Sequence, residues 1–256
     1  MDAYQLMILV GATVAAAVIS NGVAIGSGIF LLPVLSLAFP VKIALGLGAP
    51  IMFASNVVGI KNYWREWGDL KKLLRFSFAA TGGIFLGSWL IHFIPNHLFK
   101  MGVGFFAISF ALYQLISNSS FWQRFPLGNR FSLKVADFQD GRFLETIIGF
   151  LGGVVTVVCH AGGAVWSMYF VSQKMDRRLL VSTLQIIFFF SNLLKIFTYW
   201  QIGILSIRST LIVLALFPII ILSSNLGNYL NKKIRPKLFR TIVVLIILAA
   251  GISLII

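Results

Sequence analysis

The runs Asn21-Gly-Val-Ala-Ile-Gly26-Ser27-Gly28 and Cys159-His160-Ala-Gly162-Gly163 place small and polar residues inside otherwise apolar stretches. Each run is followed on the next apolar stretch by a Ser-Asn pair, Ser55-Asn56 and Ser191-Asn192. A helix that starts at such a break leaves up to four N–H groups without an intrahelical partner, and its dipole adds roughly half a positive charge there. Glycine lets a ligand approach that backbone. This is chemistry for holding an anion. Gly26, Ser27, Gly28, Gly162 and Gly163 would form the cradle, with Ser55, Asn56, Ser191 and Asn192 as side-chain donors. Small residues also permit close helix packing, and polar pairs also bridge helices. At the level of sequence both readings stand.

Other residues near the breaks carry further options. Lys195 is a cation inside a span, either a point of attraction for substrate or a side chain that snorkels to the interface. His160 is either a neutral hydrogen-bonded imidazole or the carrier of a coupling proton. Asn21 caps the first break or meets ligand, and Gln185 lines the path or bridges helices. Cys159, the sole cysteine, reads as a packing residue and excludes an intrachain disulfide or a cysteine-only metal cluster. No metal or cofactor is expected.

The elements that must position these groups are membrane helices. The 256 residues are 59% hydrophobic and 11% charged, with a mean hydropathy of +0.94. Several stretches exceed the ~20 apolar residues that span a bilayer. The expected fold is an all-α polytopic membrane protein. Continuous spans are expected at about 43–63, 73–94, 98–116, 179–200, 207–230 and 238–256. The stretches 5–39 and 143–173 are too long for one crossing and carry the breaks, so each reads as a re-entrant helical hairpin with its tip inside the protein. The arms on either side of Asn21 look slightly short to cross. The start Met1-Asp2 lacks a basic n-region, and its apolar stretch reads as part of the mature chain. Trp64, Trp67, Trp89, Tyr199 and Trp200 fall near span ends, where interface anchors belong.

The two halves align. Ser55-Asn56 and Tyr63-Trp64 match Ser191-Asn192 and Tyr199-Trp200 at one offset, and Leu98-Phe99-Lys100 matches Leu238-Phe239-Arg240 after a small shift. The expected organisation is a first repeat over 1–117, a polar cytoplasmic linker over 118–142 and a second repeat over 143–256. Charge sets their relative direction. Lys61, Arg65, Lys71, Lys72 and Arg75 fill one loop of the first half, whereas the matching loop of the second holds only Arg208. The next loop reverses this, with Lys100 against Lys232, Lys233, Arg235, Lys237 and Arg240. Opposite bias in equivalent loops is expected of inverted copies. All Lys and Arg except Lys42, Lys100, Lys195 and Arg208 then fall on the cytoplasmic side, with both termini periplasmic. The net charge of +14 is thus a positive-inside bias rather than a sign of a nucleic-acid partner. The acids Asp2, Glu66, Asp69, Asp137, Asp140, Glu145 and Asp176 all lie in loops or at span ends. A midplane free of carboxylates suits an anion. Broken helices at matching places in two halves point to a transporter's substrate site.

The run Gly26-Ser27-Gly28-Ile-Phe-Leu-Leu-Pro33 resembles the glycine-rich GxGGGxxxxP signature of the TauE/SafE sulfite-exporter family. Gly162-Gly163 followed by Ser182-Thr183 and Ser191-Asn192 resembles its second copy. There are departures: Ser27 stands where glycine is usual, Tyr169 replaces the trailing proline, and Leu47-Gly48 replaces a Thr-Ser pair. The resemblance implies a permease for sulfite, sulfonates, thiosulfate or related small organic anions in the bacterial inner membrane. Asn21, Gly26, Ser27, Gly28, Ser55, Asn56, His160, Gly162, Gly163, Ser191, Asn192 and Lys195 are its expected substrate-binding residues. The competing reading is a membrane-embedded thiol or sulfur-transfer enzyme using Cys159 and His160, though adjacent residues on a helix diverge and no carboxylate orients them. A non-transporting anchor subunit is the third. No phosphate-binding loop is present, and nothing in the sequence sets the oligomeric state.

Overall fold

In the computed structural model, residues 1–23, 26–117, 142–172, 175–233 and 236–255 are described. The expected linker lies almost wholly outside them. The elements are α1 (Ala3–Gly22), α2 (Ser27–Leu35), α3 (Val41–Asn62), α4 (Leu70–Phe93), α5 (Asn96–Ser117), α6 (Arg142–Cys159), α7 (Gly162–Ser172), α8 (Arg177–Gln201), α9 (Ile207–Ala215), α10 (Phe217–Lys233) and α11 (Pro236–Ile255). No strand occurs among the described residues. Among the described residues, four helices, α1, α3, α4 and α8, are long and apolar enough to cross a membrane, and the bent pair α9–α10 makes a fifth if it is one span.

Helix ends follow the local sequence. Asp2, Asp69, Asp176 and Ser206 cap α1, α4, α8 and α9 by accepting backbone N–H bonds. The expected continuous span over 207–230 is instead broken at Leu216, with a bend of 56°. Pro218 explains the break, because its ring removes an N–H and crowds the preceding turn. The arms of the first hairpin also differ from expectation. With 20 residues α1 measures about 30 Å, enough to cross, whereas the 9 residues of α2 are not.

Burial reads as a membrane protein. Phe78, Phe105, Leu222 and Phe143 face outward, while Thr13, Ser20, Asn21, Ser55, Asn56, Gln185, Asn192 and Lys195 are inside. The pairings between elements recur across the molecule. α3 packs on α8, and α5 packs on α11. α1 packs on α10, and α6 packs on α4. Close contact is set by glycines: Gly83 leaves no room for a side chain against the Phe150 carbonyl, and Gly153 none against that of Ala80.

Charges mark two ends. Arg178 at the start of α8 binds Glu66 in the α3–α4 loop, Lys72 and Arg75 of α4 pair with Glu145 of α6, and Lys232 of α10 adds its field at Glu66. This ion-paired end holds Lys72, Arg75, Arg178 and Lys232. Lys42, His92 and Arg208 belong to helix ends that face the other way. There Gln5 of α1 donates to the Ala38 carbonyl ahead of α3.

Candidate functional site

A buried break in a helix must satisfy its carbonyls internally. At the first break, the Tyr63 hydroxyl donates to the Asn21 carbonyl at 2.6 Å, and Asn231 Nδ2 donates to the Gly22 carbonyl at 2.6 Å. At the second, the Tyr199 hydroxyl donates to the Val157 carbonyl at 2.6 Å. Each tyrosine lies 42 residues after the carbonyl it holds. Tyr199 is fully buried in this role, so it is a bracket for the break and not the interface anchor that its position suggested. Trp64, Trp89 and Trp200 do project outward.

The two breaks meet. A side chain at Gly28 would overlap the carbonyl oxygen of His160. Gly26 caps α2 in the left-handed region at φ 87°, and His160 ends α6 there at φ 53°, a conformation uncommon for a residue with a Cβ. The starts of α2 and α7 therefore face a shared interior cavity of about 20 Å³, room for about one water molecule.

Of the twelve expected residues, Gly26, Ser27, Gly28, Asn56, His160, Gly163, Asn192 and Lys195 line this cavity. Four do not. Asn21 turns its amide to the Ser55 hydroxyl at 3.0 Å and to the Ala17 carbonyl. Ser55 completes that contact and reaches Ser224 at 3.3 Å. Gly162 is wedged against Gly152 and Thr156, where a Cβ would lie 2.5 Å from both, so its small size serves packing. Ser191 is buried outside the lining. Ser20, Thr156, Ile29, Met52, Ala164 and Phe188 complete the wall and were not anticipated. A signal existed for two of them: Ser20 and Thr156 are both hydroxyl residues separated by the same interval as the two asparagines.

The polar groups form one chain. Asn192 Nδ2 donates to Asn56 Oδ1 at 2.7 Å, and Asn56 Nδ2 donates to Gln185 Oε1 at 2.6 Å. Gln185 Nε2 then donates to the Ser20 carbonyl at 2.8 Å. Gln185 thus bridges α8 to α1 through a buried amide, and it does not line the cavity. Lys195 is only 2% exposed, which excludes snorkelling. Its ammonium sits 2.8 Å from His160 Nδ1 and 3.4 Å from the Thr156 carbonyl and hydroxyl. An ammonium donating to Nδ1 requires a neutral ring, whose Nε2–H then points at the Leu45 carbonyl 3.3 Å away. No carboxylate pairs with Lys195 among the described residues. The arrangement presents helix starts, amides and a buried cation to one small space, chemistry suited to an anion. Cys159 is half-buried outside the lining, and no group of residues suited to holding a metal occurs among the described residues.

The family model for the sulfite exporter TauE/SafE matches residues 8–254. This chain belongs to the TauE/SafE family. It is a multi-pass membrane protein of a transporter family for sulfite-type anions, as the resemblance of the glycine-rich runs implied. No curated protein and no solved structure matches it. The TauE/SafE match spans both breaks and both Ser-Asn pairs, so the cavity is built from residues inside the family region.

Proposed function

We propose that the chain exports a small sulfur oxyanion or related organic anion, such as sulfite, a sulfonate or thiosulfate, by alternately exposing the cavity between the two helix breaks. One observation carries this reading: the starts of α2 and α7, the Asn56–Asn192 pair and the carboxylate-free Lys195 all border one cavity. The cavity is too small for such an anion in this conformation, which suits a closed state that widens when the breaks part. Two inverted repeats, 1–117 and 143–256, would provide the two halves of the movement. The recurring element pairings and the twin tyrosine brackets support that layout.

The ion-paired end is read as cytoplasmic because Lys72, Arg75, Arg178 and Lys232 gather there. Both termini then face the periplasm of a bacterial inner membrane. An inside-negative potential favours anion exit by ~2.3 kcal/mol per charge per 100 mV. The hydrogen-bonded Lys195 and His160 offer a place for a coupling proton beside the anion. Purified protein in liposomes loaded with sulfite, methanesulfonate or thiosulfate, with and without an imposed pH gradient, tests the reading. Efflux above protein-free vesicles is expected for at least one anion; none for any of them overturns it.

A further inference from the structure

A second cavity, of about 280 Å³, opens at the end opposite the ion pairs. Lys42, Ile91, His92, Ile202, Gly203 and Ile204 line it. A sequence interval relates it to the ion-paired end. Asn56 and Asn192, which meet at the centre, lie 136 residues apart. The same interval relates the first residues of α3 and α8, Lys42 to Arg178, and Glu66 to Ile202. At the ion-paired end, Arg178 grips the Glu66 carboxylate with two bonds of 2.7 Å, and the Ser182 hydroxyl holds the Glu66 carbonyl at 2.8 Å. At the opposite end the turn closes on different bonds: the Glu66 N–H reaches the Tyr63 carbonyl, whereas the Ile202 N–H reaches that of Thr198. Gly46 stands at the Ser182 position and leaves room for the Ile204 carbonyl, while the N–H groups of Ile204 and Leu205 bond Tyr199. The charge is not kept. Lys42 replaces the arginine, Ile202 replaces the acid, and Lys42 has no ion pair among the described residues. Asp2, the described acid at this end, accepts the Gln5 N–H as the cap of α1.

We infer that the recess between Lys42 and His92 binds a small oxyanion, drawn by a lysine that pairs with no carboxylate among the described residues. The recess is wide enough for such an ion with part of its water. Its floor is coupled to the centre: the Ile202–Leu205 turn is built on Tyr199, and Tyr199 holds the Val157 carbonyl three residues before His160. An anion here would be a station on the route between the central cavity and the solvent at that end. The ligand class rests on the transporter reading, but binding is measurable without transport.

The test uses the full-length chain carrying ¹³C-dimethylated lysines, a modification that keeps the charge. The Lys42 signal is identified by its loss in Lys42→Gln. Titration with sodium sulfite at constant ionic strength, against sodium chloride as control, is expected to shift that signal saturably. Ile202→Glu, which installs the missing carboxylate, should abolish the shift. His92→Gln should weaken binding about three- to fivefold, the scale of one hydrogen-bonded contact. In liposomes, Lys42→Gln and Ile202→Glu should raise the half-saturation concentration for sulfite offered at that end and leave the other end unchanged. A Lys42 signal that does not saturate, or that saturates equally in Ile202→Glu, overturns the inference even if wild-type protein transports sulfite. A saturating signal in a protein that moves no anion upholds the recess and removes the transporter reading instead.

Discussion

Asn192 donates its amide to the Asn56 oxygen across 2.7 Å, joining the centres of α8 and α3 beside the cavity. Asn56 passes the chain on to Gln185, so it makes two buried bonds where Asn192 makes one. Interhelical polar contacts in membranes average only ~0.6 kcal/mol, but an orphaned buried group costs ~1–3 kcal/mol. Asn56→Ala is therefore expected to lower the melting temperature more than Asn192→Ala. Both should raise the half-saturation concentration for transport. A double-mutant cycle on that constant should be non-additive, because either change breaks the same link. Additive effects would separate the two residues functionally.

Lys195 gives the sharpest contrast between stability and function. A buried cation without a carboxylate is costly to fold, and an apolar side chain of similar length removes that cost. Lys195→Met is expected to melt at the same temperature as wild type or higher. Its transport should fall at least about tenfold, equivalent to ~1.4 kcal/mol of lost anion attraction. Lys195→Met with normal efflux would leave the cation no role in capture.

The glycines at the breaks divide by geometry. A Cβ at Gly28 meets the His160 backbone, which has no flexible end to move aside, so Gly28→Ala should push the breaks apart and abolish transport. Gly26 has open space around it and needs only a left-handed backbone. Asparagine visits that region more readily than alanine. Gly26→Asn should therefore keep more activity than Gly26→Ala, as read by efflux normalised to membrane protein.

Cys159 lies beside His160 in the chain but outside the cavity. Cys159→Ala is expected to transport at the wild-type rate and to leave the anion chemically unchanged. A loss of activity rescued by serine would instead point to polar contact with substrate.

Much of this arrangement was legible in the residues, and the failures have physical causes. Glycine runs inside apolar stretches marked both breaks, because a lipid-buried helix is interrupted only where protein or a cavity can satisfy its backbone. Asn56, Asn192, Lys195 and His160 stood out as polar groups in apolar surroundings. Ile29, Met52, Ala164 and Phe188 did not, since an apolar cavity wall and a lipid-facing surface share one composition. Asn21 and Ser55 were polar for another reason: they tie α1 to α3 and, through Ser224, to α10. Tyr199 resembled an interface residue by its place near a helix end, yet its hydroxyl was needed by a buried carbonyl. The break at Leu216 escaped attention because nothing polar accompanies it, although Pro218 supplied a signal.

Glu66 and Arg178 form the contact whose pH dependence is easiest to read. The guanidinium bonds to Arg178 hold the Glu66 carboxyl below its ordinary value of 4.5. A carboxyl lowered by folding contributes stability above its unfolded value, and that contribution is lost as pH falls through the lower folded value. Both side chains are more than a third exposed, so solvent screening limits the pair to ~0.2–1 kcal/mol. Arg178 also covers the Tyr63 ring at 5.0 Å, and Tyr63 holds the first break, so the pair supports the closed breaks indirectly. Glu66→Gln is expected to melt slightly below wild type at pH 7; the gap should start to narrow as pH falls below 4.5 and close below the lower folded value, where the native carboxyl becomes protonated and resembles the amide. Melting curves of both proteins, taken from pH 7 down to the most acid pH at which the wild type still folds, check this. A gap that stays constant down to the lowest of these pH values would assign the stabilisation to packing around Arg178 and Tyr63 and not to the charge of Glu66.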